Sequence, residues 1–456
     1  MEIKKLHIKH FTQFTDLTVE LDRSVTVFIG NNGAGKTSLL RAVATLLSWL
    51  IARIGREKGS GSPILDSDIE NDAKSSKITL DVFDLSIADN QESFQSSFDL
   101  PIADKQEPFQ WALVKQRKGF QNEQSSFLTN VTRLANLYRN RLSQNEKSSL
   151  PLVVYYPVER VVLDIPLKIK VRHSFAQLDG YDNALTQGVD FRRFFEWFRE
   201  CEDAENESRR DAMQPILESL QNHPQDVLRE KLSQLPYDQQ LTAVQNAIAT
   251  FMPGFSKLRV QRKPRLQMMV EKQGKTLDVA QLSQGEKSLM ALVGDIARRL
   301  AMMNPCLENP LHGKGIVLID EIELHLHPQW QRGIIQRLRA TFPNCQFLLA
   351  THSPLIISDA KDVRCYTLDN GQLVPVKDLY GLDANQVLVE VMDTEIRNEE
   401  VQEKITVLLD LIQEADLCQA KAALSQLETE LSAHHIELTK ARLLIKRLEV
   451  LRAKDR

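Results

Sequence analysis

A glycine-rich stretch near the start of the chain has the residue types and spacing of a phosphate-binding loop. GNNGAGKTS matches glycine, four residues, then Gly-Lys-Thr, and it lies between an apolar run ("VTVFI") and apolar residues at helical spacing. The glycines let successive N–H groups point at phosphate oxygens, and the helix that follows adds its positive end. We predict that a nucleoside triphosphate is held by Gly30, Asn31, Asn32, Gly33, Ala34, Gly35, Lys36, Thr37 and Ser38.

Two side chains of this loop have distinct expected roles. The Lys36 ammonium is expected to reach the β and γ phosphates, and the Thr37 hydroxyl is expected to ligate Mg²⁺. The alternative is a glycine-rich turn that contains a lysine by chance. The strand pattern before the loop and the helix pattern after it argue against that alternative.

Two carboxylates and a histidine follow apolar runs later in the chain. Asp320 and Glu321 end IVLIDE, and His352 follows the run in LLATHSP. Because the carboxyl ends of parallel strands meet at one sheet edge, we expect all three near the phosphate loop. Asp320 is predicted to hold Mg²⁺, Glu321 to polarise the attacking water and His352 to lie near the γ-phosphate. Taken alone, each piece also fits an acidic strand end or a hydrogen-bonded loop histidine.

A second anion-binding turn opens a helix at LSQGEKS, residues 282–288. Its expected donors are Ser283 and the backbone of Gly285 at a helix amino terminus. A chain with one phosphate loop has no need of a second γ-phosphate site of its own. We therefore expect this turn to contact a nucleotide that another subunit holds.

The four motifs, in this order, resemble those of the ABC-type ATPases. GNNGAGKT resembles the Walker A motif, LSQGEKS the signature, IVLIDE the Walker B motif and ATHSP the switch histidine. DEIELHLHP and IKHFTQFTDLTVEL narrow the resemblance to the branch of RecF, SMC and OLD-like proteins, in which two heads sandwich two ATP molecules. The resemblance covers about residues 1–50 and 255–375, plus the VVYYPVER strand.

This resemblance implies ATP and Mg²⁺ as cofactors, Thr37 and Asp320 at the metal, and Glu321 as the catalytic carboxylate. It also implies that His352 senses the γ-phosphate and that Glu323 and His325 occupy a loop facing the partner subunit. The sequence departs from the pattern at Gln284, where many transporters have glycine. Gln177 is only a weak candidate for the Q-loop glutamine.

A head of this size most resembles the ATPase subunits of Septu and retron-associated anti-phage systems. The stretch between the lobes is too short and too rich in proline for long SMC-type arms, and no OLD-type nuclease domain follows. The resemblance implies ATP hydrolysis between head-to-tail subunits of a homodimer or higher homo-oligomer, and a separate partner nuclease of the HNH type. Nucleic acid is then contacted through the complex.

Two other functions remain open at the level of sequence. One is a RecF-like repair ATPase that binds DNA directly, and the other is a nucleotide-gated scaffold without hydrolysis. The best local basic strip is KLRVQRKPRL, residues 257–266, whose alternation favours a solvated strand face over phosphate contacts. His312, His325 and His327 do not match a zinc-ligand spacing.

The elements needed to position these motifs predict an α/β fold. We expect an ABC-ATPase head of split lobes, with a mixed sheet plus antiparallel strands, a helical insertion and an α-helical C-terminal region. Parallel strands are predicted within 315–328 and 346–354, joined by one helix over QWQRGIIQRLRATF. The predicted domains are an N-terminal lobe 1–165, a helical insertion 166–254, a C-terminal lobe 255–379 and an assembly or partner region 380–456.

The C-terminal region and the overall composition complete the prediction. Apolar stripes at helical spacing are expected to join subunits or hold a nuclease, and they comprise Val401, Ile405, Leu408, Ile412, then Leu444, Leu448 and Leu451. The 456 residues have 42% hydrophobic and 26% charged side chains, a net charge of −4 and a pI near 6.3, which argue against a surface dominated by nucleic-acid binding. No apolar run approaches the roughly 20 residues of a membrane span, so we expect no membrane partner. The amino terminus, MEIKKLHIKHFTQF, alternates like a strand without an apolar signal core, so we expect a cytoplasmic protein.

Overall fold

The computed structural model describes residues 1–84, 108–120, 125–158, 175–186, 188, 191–218, 235–395, 397–432 and 435–454. The chain divides into two compact units, which we call the head unit, Met1–Asp383, and the tail unit, Ala384–Arg456. Residues 85–107 of the predicted N-terminal lobe lie outside the described residues. Residues 166–174 and 219–234 of the predicted helical insertion also lie outside them.

Three sheets form the frame of the head unit. Their strands are β1 Glu2–Phe11, β2 Phe14–Glu20, β3 Val25–Ile29, β4 Ser75–Phe83, β5 Phe109–Gln116, β6 Leu152–Tyr156, β7 Phe255–Gln261, β8 Gln267–Lys272, β9 Lys275–Asp278, β10 Gly315–Ile319, β11 Cys345–Thr351, β12 Arg364–Asp369 and β13 Gln372–Val376. The six-stranded sheet has the order β13-β12-β3-β11-β10-β6, with β13 antiparallel to five parallel strands. Its parallel strands are runs of Val, Ile, Leu and aromatic residues because both faces of this sheet are covered.

The other two sheets are antiparallel. One has the order β2-β1-β4-β5, and the other is the meander β7-β8-β9. Strand β4 alternates between buried and partly buried residues, the pattern of a sheet that is covered mainly on one face. The predicted α/β class, with a mixed sheet and additional antiparallel strands, is confirmed.

The helices cover the sheets and form the tail unit. They are α1 Lys36–Gly55, α2 Thr129–Gln144, α3 Phe191–Glu218, α4 Gln239–Phe251, α5 Gln284–Met303, α6 Pro328–Gln331, α7 Ile334–Thr341, α8 Pro354–Ile357, α9 Ala384–Glu390, α10 Glu399–Gln413, α11 Leu417–Glu430 and α12 Ile436–Lys454. Helix α1 follows β3 directly, and α5 follows the meander, so each of the two candidate anion-binding turns precedes a long helix.

The single helix predicted over QWQRGIIQRLRATF is wrong. The structure has two helices there, α6 and α7, separated by Gly333 with φ of 67°. This left-handed backbone suits glycine and interrupts the α-helical hydrogen bonds. The apolar periodicity continues across the break, and for that reason it did not reveal the interruption.

Helix α1 is the apolar segment to compare with the expectation that no membrane span is present. By length and composition alone, Lys36–Gly55 is the one helix in the described part of the chain that is apolar enough to cross a membrane. Half of its most apolar window is buried inside the head unit, where it packs beside the sheets and α2. Core helices pass the same test of length and hydropathy, so this finding is weak support for a membrane span.

The tail unit buries one of its two predicted stripes within itself. Ile405, Leu408 and Ile412 pack in a common core with residues of α11 and α12. On α12, Leu448 is partly buried against this core, whereas Leu444 and Leu451 are 40% and 49% exposed. The first stripe therefore needs no other subunit to cover it.

Candidate functional site

The carboxyl ends of four neighbouring parallel strands bring the predicted site residues together. Ile29 of β3 pairs with Thr351 of β11, and Ile319 of β10 pairs with Leu349 of β11 and with Tyr156 of β6. The phosphate loop, Gly30–Thr37, therefore begins at the same sheet edge where Asp320, Glu321 and His352 follow their strands. This register places phosphate-binding and carboxylate groups side by side.

Gly35 allows the phosphate loop to close against the turn between β1 and β2. Its φ is 103°, and a Cβ there would lie 2.6 Å from Gln13 Nε2 and 2.8 Å from Phe14 Cζ. The Gln13 amide donates a hydrogen bond to the Ala34 carbonyl. Sequence reasoning missed Gln13, because no local signal marks a glutamine that reaches across to the loop.

Lys36 is held inside the loop that it is expected to serve. Its Nζ donates to the carbonyl oxygens of Gly30, at 2.7 Å, and Asn31, at 3.0 Å, and the residue is only 5% exposed. Burial lowers the pKa of this ammonium, and the carboxylates of Asp320 and Glu321 act in the opposite direction. The cation is therefore already positioned where phosphate oxygens would meet the loop.

Thr37 and Asp320 form a donor set that fits Mg²⁺. The Thr37 hydroxyl donates to Asp320 Oδ2 at 2.6 Å, and Asp320 is completely buried. The Asp320 backbone N–H donates to the Tyr156 carbonyl at 2.9 Å, which fixes the aspartate against β6. A hydroxyl beside a carboxylate supplies the hard oxygen ligands that Mg²⁺ prefers.

Glu321, the residue after Asp320, lies opposite His352. Glu321 has φ of 43°, which ends the strand direction of β10, and its Oε1 lies 3.4 Å from His352 Nε2. Both side chains are about one-quarter exposed, so a water molecule and a phosphate can reach them. The geometry suits a carboxylate that activates water and an imidazole that contacts the γ-phosphate.

Glu323, which the resemblance places in a loop facing the partner subunit, has partners within its own chain. Its carboxylate accepts hydrogen bonds from the His352 backbone N–H at 2.6 Å and the Thr351 hydroxyl at 2.8 Å. These bonds tie the loop after β10 to the end of β11. Glu323 therefore helps to fix the backbone of His352 within its own chain.

The signature turn, residues 282–285, is closed by a capping box. The Ser283 hydroxyl accepts from the Glu286 N–H at 3.3 Å, while Glu286 Oε2 accepts from the Ser283 N–H at 3.1 Å and the hydroxyl at 2.9 Å. Lys272 Nζ donates to the other oxygen of Glu286 at 2.7 Å. The Ser-x-x-Glu spacing is a sequence signature of this capping box, whereas no pattern in the sequence indicates that Lys272 bonds to Glu286.

Gly285 joins the signature turn to the loop after β10. A Cβ at this position would overlap the carbonyl oxygen of His325, whose φ of 64° turns that carbonyl toward the helix. Only a residue without a side chain permits this approach of two backbone segments. Ser283 itself is exposed, so its side of the turn is open to a ligand.

Other sequence candidates lie elsewhere or have other partners. Gln177 donates to the carbonyls of Ser148 at 2.7 Å and Met303 at 2.8 Å, near the amino end of β6, so its assignment as the Q-loop glutamine is wrong. The ring of His327 accepts from the Gln329 N–H, which uses it as a helix cap. Within the described residues no three or more His, Cys, Asp or Glu side chains cluster as a metal site.

The basic strip is partly neutralised within the chain. Lys257 pairs with Glu271 at 2.8 Å, and Arg262 pairs with Glu202 of α3 at 2.9 Å. These ion pairs agree with the interpretation of a solvated strand face. The ion pairs do not add support to the alternative in which this strip binds DNA directly.

The chain is similar to proteins of named families. A family model described as "AAA domain, putative AbiEii toxin, Type IV TA system" matches residues 25–358. The "Retron Vc95 probable ATPase" of Vibrio cholerae is 33% identical over 430 residues, which are 86% of this chain and 79% of that protein. The "Retron Ec83 probable ATPase" of Escherichia coli is 31% identical over 450 residues, or 90% and 79%. The "Septu protein PtuA" of Bacillus mycoides is 45% identical over 74 residues, or 16% and 10%.

Proposed function

Because the chain belongs to this AAA-domain family, in the RecF, SMC and OLD-like branch of the ABC-type ATPases, we propose that it hydrolyses ATP between head-to-tail subunits. The phosphate loop of one subunit binds ATP with Mg²⁺, and the signature turn of a second subunit closes over the γ-phosphate. The observation that carries the proposal is the Thr37 hydroxyl 2.6 Å from Asp320, with Glu321 next in the chain and 3.4 Å from His352.

The reaction divides its tasks among these side chains. Lys36, held at the loop carbonyls, binds the β and γ phosphate oxygens, while Thr37 and Asp320 would hold Mg²⁺, which would supply charge neutralisation at those oxygens. Glu321 accepts a hydrogen bond from the water that attacks the γ-phosphorus. The bond from phosphorus to the ADP oxygen breaks, and the proton from the water passes through Glu321 to solvent. His352 donates to the γ-phosphate as its charge develops.

The head-to-tail arrangement is supported by the exposed position of Ser283. Within the described residues this hydroxyl bonds only to Glu286 of its own helix, and its outward side is open. A helix amino terminus with a hydroxyl donor is a ready site for a phosphate oxygen. A second subunit supplies that phosphate in the proposed assembly.

Mixing two inactive variants tests whether the site is shared. Lys36→Ala removes the phosphate-binding ammonium, and Ser283→Asp places a negative charge where the γ-phosphate approaches. Each variant alone is expected to hydrolyse ATP poorly. In a mixed dimer, one site contains the intact loop of one chain and the intact turn of the other, so hydrolysis is expected to return.

The control for this test is the presence of mixed dimers. Differently tagged chains, purified in sequence in the presence of ATP, show whether the two variants associate. Mixed dimers without any recovered hydrolysis would contradict a shared site. Recovery in a mixture of Lys36→Ala with Glu321→Gln is not expected. Lys36 and Glu321 belong to the same half of the shared site, so each chain of the mixed dimer contributes a defective copy of that half.

We propose further that the protein acts in the cytoplasm and controls a separate nuclease in anti-phage defence. The support is the similarity to retron ATPases over most of the chain and to Septu protein PtuA over a short segment. We assign partner binding or subunit assembly to the tail unit, where Leu443 of α12 is 65% exposed and Leu451 is 49% exposed. Exposed apolar residues on one helix face are common in protein interfaces.

Charged substitutions on α12 test the role of the tail unit without removing its core. Leu443→Glu with Leu451→Glu is expected to weaken assembly, or co-purification with a co-expressed partner nuclease, while nucleotide binding is retained. Val407→Glu, at an exposed apolar position on α10, is the matched control. Light scattering after size exclusion measures the mass. Unchanged assembly and unchanged co-purification in the double variant would contradict this role.

A further inference from the structure

An ion pair behind the signature turn connects it to the meander. Lys272, the last residue of β8, donates from Nζ to Glu286 Oε1 at 2.7 Å, and its ammonium also lies 5.6 Å from the centre of the Phe255 ring. The second oxygen of the same carboxylate accepts from the N–H and the hydroxyl of Ser283. One carboxylate therefore has a cation on one oxygen and the signature serine on the other.

The charge of Glu286 presents a problem for a phosphate that approaches this turn. Burial raises the pKa of its carboxyl, but the hydrogen bonds from Lys272 and Ser283 outweigh burial and hold the pKa below its ordinary value. The carboxylate is thus ionised at neutral pH. An ionised carboxylate repels a phosphate, and it also competes with that phosphate for the proton of the Ser283 hydroxyl.

We propose that Lys272 is a positioning residue for the signature turn, which neutralises Glu286 so that Ser283 can turn its hydroxyl to the γ-phosphate held by a second subunit. The inference rests on the proposed function, because it requires a nucleotide presented by another chain. With Lys272 in place, the charge of Glu286 is balanced, and the Ser283 hydroxyl can donate its hydrogen bond either to Glu286 or to the phosphate. Without Lys272, the ionised carboxylate retains the hydrogen bond from Ser283 and repels the phosphate.

A purely structural role for the pair would predict different behaviour. The Lys272 side chain is 32% exposed, and partly exposed ion pairs contribute little to the stability of a fold. A matched pair exists on the same meander, since Lys257 of β7 bonds to Glu271 of β8 at 2.8 Å. That pair has the same residue types, and Glu271 is the neighbour of Lys272 in sequence, but neither member contacts the signature turn in the structure.

The test uses the full-length chain with Glu321→Gln, so that bound ATP is not consumed. Four variants are made in this parent: Lys272→Met, Lys272→Arg, the double change Lys272→Met with Glu286→Gln, and the control Lys257→Met. Glutamine at position 286 retains the hydrogen bonds of the capping box without the charge. Binding of a fluorescent ATP analogue to dilute protein reports the phosphate loop, and sedimentation at increasing protein concentration with ATP and Mg²⁺ reports association.

The expected results separate charge neutralisation from folding. Lys272→Met is expected to bind the analogue within about twofold of the parent and to associate roughly 10- to 100-fold more weakly. Lys272→Arg and the double variant are expected to recover most of the lost association, and Lys257→Met to match the parent. In the hydrolytically active chain, Lys272→Met should lower kcat at high ATP and change the KM for ATP little at fixed dimer concentration.

Three outcomes would overturn the inference. Association of Lys272→Met equal to that of the parent removes any role for the lysine. A double variant no better than Lys272→Met shows that the charge of Glu286 is not the obstacle. If the Glu321→Gln parent binds the analogue but never associates with ATP, the proposed function fails, and the inference fails with it.

Discussion

Two helices of the head unit begin at candidate anion-binding turns, and their amino termini are capped in opposite ways. Helices α1 and α5 each have 20 residues. Gly35 precedes α1 in a left-handed conformation, and no side chain of the described residues caps its first N–H groups. Ser283 precedes α5 and closes it with Glu286 in a reciprocal capping box.

This difference indicates how each turn meets a phosphate. The first N–H groups of a helix lack intrahelical partners, and they are satisfied by a cap, by water or by a ligand. The start of α1 leaves them for a ligand within the same subunit. At the start of α5 the Glu286 N–H is already bonded to the Ser283 hydroxyl, which also donates to the Glu286 carboxylate, so a phosphate there must share the serine with Glu286. Binding at α1 is therefore expected to need one chain, whereas binding at α5 needs a rearrangement and a second chain.

Glu321→Gln sharpens the comparison, because it leaves both helix ends unchanged and removes only the base. Hydrolysis is expected to fall by about 10²- to 10⁴-fold, the usual contribution of a positioned general base. ATP binding at α1 should persist, and with ATP and Mg²⁺ the subunits should stay associated longer than in the unaltered protein. Phosphate release and sedimentation measure the two effects, with the exposed Glu57→Gln as control. Normal turnover by Glu321→Gln would exclude Glu321 as the catalytic carboxylate.

Lys36→Ala removes the ligand-binding capacity of the α1 end alone. The ammonium is lost from a site where it bonds to Gly30 and Asn31, so the charge of the phosphates is left uncompensated. Affinity for an ATP analogue is expected to fall at least about 100-fold, the effect of losing charged hydrogen bonds worth roughly 3 kcal/mol. Equilibrium titration measures it, with the exposed Lys58→Ala as control. Unchanged affinity would remove the nucleotide from this loop.

Sequence was sufficient for the parts of the site that are local. The phosphate loop, the carboxylates after β10 and the histidine after β11 are contiguous motifs, and the rule for parallel strands predicts that they share an edge. The capping box of α5 also has a local signature, although the sequence at this turn was equally compatible with Ser283 and Gly285 as ligand donors only. Local spacing thus identified the residues more readily than their hydrogen-bond partners.

Contacts between separate elements could not be read from spacing. Lys272 reaches Glu286 from a neighbouring strand, and Gln13 reaches the Ala34 carbonyl from the turn after β1. Each contact depends on how two backbones approach, which is set by the packing of whole elements. The same reason explains Glu323, whose bonds to the end of β11 appear only when β10 and β11 are neighbours.

Gly285→Ala breaks the α5 side of the comparison through its packing. The added Cβ would overlap the His325 carbonyl oxygen. Because the Cβ is fixed to one backbone segment and the carbonyl belongs to another, one of the two segments must move. Overpacking of this kind costs about 1–3 kcal/mol, so we expect a lower melting temperature and ATP-dependent association weakened by roughly tenfold. Gly55→Ala is the control, because nothing lies within 4 Å of a Cβ there. A melt and an association equal to those of the unaltered protein would show that this close approach is not required.

The smallest expected effect separates the two roles of Ser283, as a cap of α5 and as a donor to a phosphate. Ser283→Ala removes both, and the loss of an N-cap costs about 1 kcal/mol of folding stability. Ser283→Asp retains an oxygen that can cap the helix but adds a negative charge where the phosphate approaches. We therefore expect Ser283→Asp to unfold at a denaturant concentration between those of the unaltered protein and Ser283→Ala, because repulsion from the Glu286 carboxylate offsets part of the new cap. We expect ATP-dependent association to be lost more completely in Ser283→Asp. If the serine has both roles, the order of the two variants in folding stability, measured by chemical denaturation, is opposite to their order in ATP-dependent association, measured by sedimentation. The helix cap needs a hydrogen-bond acceptor, whereas phosphate binding needs an uncharged donor. The same order in both measurements would reduce Ser283 to a helix cap, and the difference between the ends of α1 and α5 would then concern folding alone.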